Sequence, residues 1–229
     1  MGQANSHGLV AYADYQPPLT AGVSTLGAEI GESLQYDKTL RSTRFMKTIR
    51  CFHPREGLLV VRIFTKPTYM KLRLHLDPYI RRIKEQHSLV HDLENILSYP
   101  SVIETDRAVF LVRQYAQHNL YDRISTRPFL SDIEKKWIAF QILVGLRESH
   151  AVGACHGSIR TENVLLTSWN WVYLTDYAPY KPTYLPADDP AIFSYYFDTS
   201  MRRVCYVAPE RFYDPDSPTA RMLANKDDS

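Results

Sequence analysis

Cysteine is scarce in this chain, and Cys51, Cys155 and Cys205 stand so far apart that neither a disulfide framework nor a CxxC-type zinc site can be read from them. A reducing, cytosolic setting is the expectation. A long apolar run is missing as well: the longest, WIAFQILVGL at 137–146, is about half of the roughly 20 residues that cross a bilayer, and Gln141 interrupts it. Neither a transmembrane helix nor a secretory signal is expected. An excess of one charge is also lacking, because 27 basic residues face 25 acidic ones and the resulting +2 is spread along the chain. Without a basic stripe, nucleic acid is not expected as a partner.

What is present suffices for a packed core: 45% of the 229 residues are hydrophobic and 12% aromatic, which allows one large domain or two small ones. The first six residues, MGQANS, fit the pattern M-G-x-x-x-[ST], with Gly2 as acceptor of a myristoyl group once Met1 is removed and Ser6 at the favoured hydroxyl position. So short a pattern is equally compatible with a chance match. One myristoyl chain holds a membrane weakly, so stable attachment calls for a second anchor or a membrane-bound partner. Residues 3–30, rich in Gly, Ala, Ser and Tyr without sustained periodicity, read as an arm.

From Tyr36 to Phe64 the pattern is that of strands, TRFMKTIRC and LLVVRIF around a break at HPREG, and it predicts a hairpin or small antiparallel sheet. Helical spacing takes over from Pro78 to Leu97, with Tyr79, Ile80, Ile83, His87, Val90 and Leu93 largely on one face until SYP ends it. AVFLVRQY, 108–115, returns to strand character. A short helix, LYDRIS, follows Asn119, and Ser131 with Glu134 forms a capping box for a longer helix reaching Val152. The stripe of Ile133, Trp137, Phe140 and Val144 on that helix reads as core packing. Two short apolar runs joined by TSWN then predict a second hairpin.

HGSIRTEN at 156–163, TDYA at 175–178 and APE at 208–210 follow one another in an order and at spacings that resemble the protein kinase fold. YDKTLRSTRF, REGLLVVRIF, TSWNWVYLTDYAPYKPTYLP and CYVAPERF narrow the resemblance. They are similar to the regulatory, protein-kinase-like subunit of the class III phosphatidylinositol 3-kinase complex, the vacuolar protein sorting kinase family, from about Tyr36 to Phe212. The resemblance implies an α+β, two-lobed kinase-like fold: an arm over 1–35, a small β-rich N-lobe over 36–115 and a helical C-lobe over 116–229. The late helices of the large lobe, the helical repeats and the β-propeller of that family do not follow APERF here, so a truncated product with open apolar surface is expected. N-terminal myristoylation, a property of the family, coincides with Gly2.

Phosphoryl transfer depends on positioning and charge stabilisation, and each part can be carried over by register. The resemblance places Ser158 at the catalytic-base position, with Arg160 in the same loop. Asn163 and Asp176 take the positions that hold magnesium on the phosphates of ATP or GTP, although the residues alone are as compatible with a turn cap and a strand end. Arg62 stands where the phosphate-contacting Lys is expected, with Glu85 either its helix partner or a surface charge. Ser158 has no negative charge and cannot accept a proton as Asp does at neutral pH. The guanidinium of Arg62 is planar and larger than an ammonium. Gly157 replaces the Arg that precedes the base, so pairing with an activation-loop phosphate is not expected. TLRSTRFMK at 39–47 contains no glycine where G-x-G-x-x-G is the rule, and Ser42, Thr43 and Arg44 hinder a close backbone approach to phosphate. The aromatic segment YKPTYLPADDPAIFSYYFDTSMRRVCYV suits a packing or docking surface.

The resemblance therefore implies a degenerate kinase domain acting as a membrane-tethered scaffold. Its partners would be the lipid kinase catalytic subunit, the autophagy and sorting co-subunits, and the membrane surface. Its place would be cytoplasmic, peripheral on endosomal, Golgi or vacuolar membranes. Two other readings stay open: an active serine/threonine kinase, and a nucleotide sensor without turnover.

Overall fold

In a computed structural model, the described residues are 34–43, 46–66, 70–185, 193, 196 and 206–214. Gly2, Arg44, Cys205 and most of the aromatic segment before APE lie outside them, as do the side chains of 70–77, 79 and 210. Strands β1 (Gln35–Ser42), β2 (Lys47–His53) and β3 (Gly57–Thr65) are joined by β5 (Ser101–Glu104) and β6 (Ala108–Gln114) in an antiparallel sheet of order β1-β2-β3-β6-β5. The described residues of the glycine-free stretch thus form the end of β1 and the start of β2, with Thr43 and Met46 between them. Thr43 and Met46 are paired, the Thr43 amide donating to the Met46 carbonyl at 2.8 Å and its hydroxyl accepting from the Met46 amide at 3.0 Å.

Alternation along the strands gives the sheet two buried faces. Ile49, Cys51, Leu59, Val61, Ile63, Phe110 and Val112 pack on one. Phe64, Val109 and Leu111 pack on the other, against Ile80 and Ile83 of helix α1 (Met70–Val90) and against Tyr99, Ala178 and Tyr180. Arg62 pairs with Leu111, and Val60 with Arg113. The register therefore makes Arg62 and Arg113 diagonal neighbours on the α1 face, and both are buried.

Helix α1 starts at Met70 and ends at Val90, eight residues before and seven before the expected limits of 78 and 97. Pro78 lies inside the helix instead of opening it. Beyond Val90 the chain turns, and β4 (Ile96–Leu97) pairs in parallel with β9 (Val172–Thr175), so the residues read as a last helical turn are claimed by a sheet. The second sheet runs β4-β9-β8-β7, with β7 at His118–Asn119 and β8 at Val164–Leu166, and β8–β9 is the expected hairpin.

Helix α2 (Leu120–Ser125) is capped by Asn119, and α3 (Asp132–Ala151) opens on the expected capping box of Ser131 and Glu134. Which face of α3 is buried differs from the expectation. Ile133 is 81% exposed, Phe140 57% and Trp137 44%, and Val144 is half-buried, whereas Ile138, Gln141, Gly145 and Ser149 face inward. The inward face is polar because it serves backbone. The Gln141 side chain accepts from the Val172 amide at 3.0 Å and donates to the Asn170 carbonyl at 2.9 Å, groups of the β8–β9 hairpin that no strand pairs. Gly145 permits close approach, since a Cβ there would sit 3.1 Å from that of Asn95 and 3.2 Å from Leu174. Between α2 and α3, Leu120, Ile124, Phe129, Ile138 and Ile142 line an apolar groove. Among the described residues, no helix is long and apolar enough to cross a membrane.

The inverted face of α3 predicts opposite responses to truncation in chemical denaturation. Ile138→Ala is expected to lower stability by about 2–4 kcal/mol, and Phe140→Ser by no more than about 0.5 kcal/mol; equal losses would contradict the assignment of faces.

Candidate functional site

Asp176 follows β9 directly, and its left-handed backbone, φ 64°, turns the chain so that the carboxylate lies beneath the sheet face carrying the two arginines. Its Oδ1 lies 3.4 Å from Nη2 of Arg113 and 3.7 Å from Nη1 of Arg62, the second an ion pair too long for a hydrogen bond. The Tyr99 hydroxyl donates to the same oxygen. Arg62 Nη2 donates to the Tyr180 hydroxyl at 2.9 Å, and both guanidinium groups lie 5.6 Å from the Tyr99 ring centroid. Burial alone pushes the Asp176 carboxyl up, but Arg62, Arg113 and Arg41 outweigh it and hold the group well below the usual carboxylate range. Burial likewise pushes the Tyr99 phenol up to about 12, so it stays a donor.

Glu85 is not the partner of Arg62. It lies on the exposed face of α1, while Gln86, one residue and about 100° further round, is buried and donates to the Cys155 carbonyl. The carboxylate that serves Arg62 is Asp176. Arg113, Tyr99 and Tyr180 complete the cluster and were not singled out by the motif pattern. A charged residue inside the apolar run AVFLVRQY was the available signal, since a guanidinium in a buried strand requires a partner.

Hydrogen bonds tie the loop around Ser158 to its neighbours. Asn163, 1% exposed, donates from Nδ2 to the Ser158 carbonyl at 2.8 Å and to Ser158 Oγ at 3.3 Å, and its Oδ1 accepts from Arg41 Nη1 at 3.4 Å. Lys181 Nζ donates to Ser158 Oγ at 2.9 Å. Burial, with the charges of Arg160, Arg62, Arg41 and Arg211, pulls Lys181 down to about 7. Arg160 stands just before the single helical turn Thr161–Asn163. His156 is buried, its ring 4.3 Å from that of Tyr177, and burial pulls it down to about 4. Its Nδ1 accepts from the Ser158 amide at 3.2 Å, and its carbonyl from the Ala178 amide at 2.8 Å. Gly157, at φ 70°, has a second reason for lacking a side chain: a Cβ would lie 2.7 Å from the Ala178 carbonyl oxygen. Arg211, in the turn Pro209–Phe212, donates to the carbonyls of Gly157 at 3.3 Å and Pro182 at 2.8 Å, tying the loop to the APE segment.

These residues do not fit a divalent cation. The Oδ1 oxygens of Asp176 and Asn163, which magnesium would need, each face a guanidinium group, the first those of Arg62 and Arg113 and the second that of Arg41. Among the described residues, no three His, Cys, Asp or Glu side chains gather in a metal-binding group.

No family model matches the chain. Individual relatives do. The chain is 48% identical over 202 residues to a probable serine/threonine-protein kinase vps15 of Dictyostelium discoideum, covering 87% of this chain and 10% of that protein. It is 48% identical over 185 residues to the serine/threonine-protein kinase VPS15 of Saccharomyces cerevisiae, covering 80% and 12%. The VPS15 of Arabidopsis thaliana is 48% identical over 189 residues, covering 82% and 12%. The chain belongs to the VPS15 family of kinase-like proteins. It spans about a tenth of the length of the curated relatives it matches, and within that part its fold is that of a protein kinase, with the β-rich sheet as its first lobe. In this VPS15-type domain the HGSIRTEN and TDYA segments meet as the kinase register implies, and the basic cluster around Ser158 and Asp176 lies where they meet.

The clamp on Asp176 predicts its own loss. Asp176→Asn leaves two buried guanidinium groups without their carboxylate and is expected to lower stability by about 3–5 kcal/mol in chemical denaturation. A loss below about 1 kcal/mol would show that solvent, not Asp176, balances the arginines.

Proposed function

We propose that this chain supplies the kinase-like domain of a regulatory subunit of the class III phosphatidylinositol 3-kinase complex, acting as a pseudokinase scaffold in endosomal or vacuolar sorting and autophagy. Its work is binding and positioning. The observation that carries the catalytic half of this reading is the state of the base position: Ser158 Oγ receives hydrogen bonds from Lys181 and Asn163 and offers no carboxylate to take a hydroxyl proton. The clamp on Asp176 points the same way, and magnesium with ATP or GTP is therefore not carried into the proposal. Membership of the VPS15 family supports the regulatory half. The proposed partners are the lipid kinase catalytic subunit, its sorting and autophagy co-subunits, and an endosomal, Golgi or vacuolar membrane surface reached through a myristoylated Gly2.

One observation favours a second reading. The curated relatives bear the name serine/threonine-protein kinase, so transfer of the ATP γ-phosphate to protein is the alternative. A phosphotransfer assay on the purified full chain beside Ser158→Asp separates the two. Wild type is expected at background, and the variant no more than marginally above it, because restoring the base leaves Asp176 clamped. Robust transfer by the wild type, equal to that of Ser158→Asp, would overturn the scaffold reading.

A further inference from the structure

Two histidines stand one turn apart at the end of α1, His87 inside the helix and His91 just past its last residue, with ring centroids 6.2 Å apart. The His91 Nδ1 lies 2.9 Å from the Ser88 carbonyl oxygen, which can only accept, so the neutral ring carries its hydrogen on Nδ1 and a lone pair on Nε2. Metal-binding imidazoles are held in this way, the second nitrogen donating to a carbonyl. The His91 Nε2 also lies 3.1 Å from Asp92 Oδ2, and a lone pair facing a carboxylate oxygen calls for a cation between them, a proton or a metal. On the His87 ring Nδ1 is buried without a hydrogen-bond partner. Gln86 Oε1, likewise buried without a partner, lines the same cavity and is the acceptor on offer for a hydrogen on Nδ1, directly or through water. That tautomer leaves the lone pair of His87 on Nε2 as well. Burial, and after it the neighbouring His91, pull His87 below the usual imidazole range, so its ring is neutral at pH 7.

We propose that His87 and His91 chelate one zinc ion through their Nε2 atoms, with water completing its coordination and Asp92 beside it as counter-charge. Bonds of about 2.0–2.1 Å to both nitrogens set the ring centroids roughly 5–6 Å apart, so closure takes about an ångström of side-chain movement. The His91 side chain is 52% exposed and open to an ion from solution. Two imidazoles favour zinc, nickel or copper over magnesium and manganese, and the site shares no ligand with the clamp on Asp176. The ion would join successive turns where α1 ends. Gln86, in the same turn, donates to the Cys155 carbonyl just ahead of the Ser158 loop, so the zinc acts as a brace on the helix end that holds that loop.

The test uses the full chain, stripped of metal with EDTA and dialysed, then titrated with zinc chloride in a calorimeter with magnesium chloride in excess. A saturable zinc isotherm is expected, together with a rise in melting temperature that EDTA reverses. His87→Asn and His91→Asn should each weaken zinc binding by at least the roughly 10-fold that losing an outer-shell partner costs. His118→Asn, on the exposed first residue of β7, should leave it unchanged. Melting without metal checks that each variant folds, and His91→Asn, at an exposed position, keeps the test decisive if the half-buried His87 cannot be replaced. The absence of a saturable isotherm, zinc binding unchanged in His91→Asn, or an equal loss in His118→Asn would each overturn the proposal.

Discussion

Two guanidinium groups and one carboxylate, all removed from water, hold the centre of this domain together. Neither Arg62 nor Arg113 could be buried on the α1 face of the sheet without a counter-charge, because an isolated ion in a low-dielectric interior loses its hydration with nothing in return. Asp176 supplies that charge and Tyr99 completes the coordination of its Oδ1. The left-handed turn at Asp176, the short β4–β9 pairing and the inward packing of Tyr99 and Tyr180 all serve to bring one acidic side chain under two basic ones. The interaction crosses between the two sheets. Loss of it would unseat the segment that follows β9, and with it Lys181.

From that constraint the chemistry follows. A kinase needs its DFG-type aspartate free to hold metal on phosphate and its loop aspartate free to take a proton. Here the first is clamped by arginine and the second is a serine hydrogen-bonded to a lysine. The loop has nonetheless kept its shape: Asn163 still fastens to the Ser158 carbonyl, His156 still receives the Ser158 and Ala178 amides, and Gly157 passes the Ala178 carbonyl at a distance only glycine permits. The contacts that shape the loop are present, while a neutral serine stands at position 158 and Asp176 is paired with arginine.

Much of this was legible in the order of residues, and the reasons for the rest are physical. Ser158, Asn163 and Asp176 could be placed because loop motifs keep fixed spacing, and the cap at Ser131 because a capping box is local. The partner of Arg62 could not, since pairing across β3 and β6 sets which residues become neighbours, and no local pattern encodes that register. Glu85 and Gln86 differ by a single step around α1, an angle that periodicity does not resolve. The face of α3 was inverted for a different reason: Gln141, Gly145 and Ser149 point inward because unpaired hairpin backbone and close approach outweigh apolar area there, so the usual rule that the apolar stripe faces the core fails. Likewise Pro78 looked like a helix start and lies within a helix.

A manganese titration followed by electron paramagnetic resonance tests most directly whether the arginines have replaced the metal. With Asp176 and Asn163 engaged as described, adding the protein should leave the free hexaaqua signal unchanged up to millimolar manganese. A saturable loss of signal that the protein alone produces, and that Asp176→Asn abolishes, would contradict the clamp and return the site to kinase chemistry.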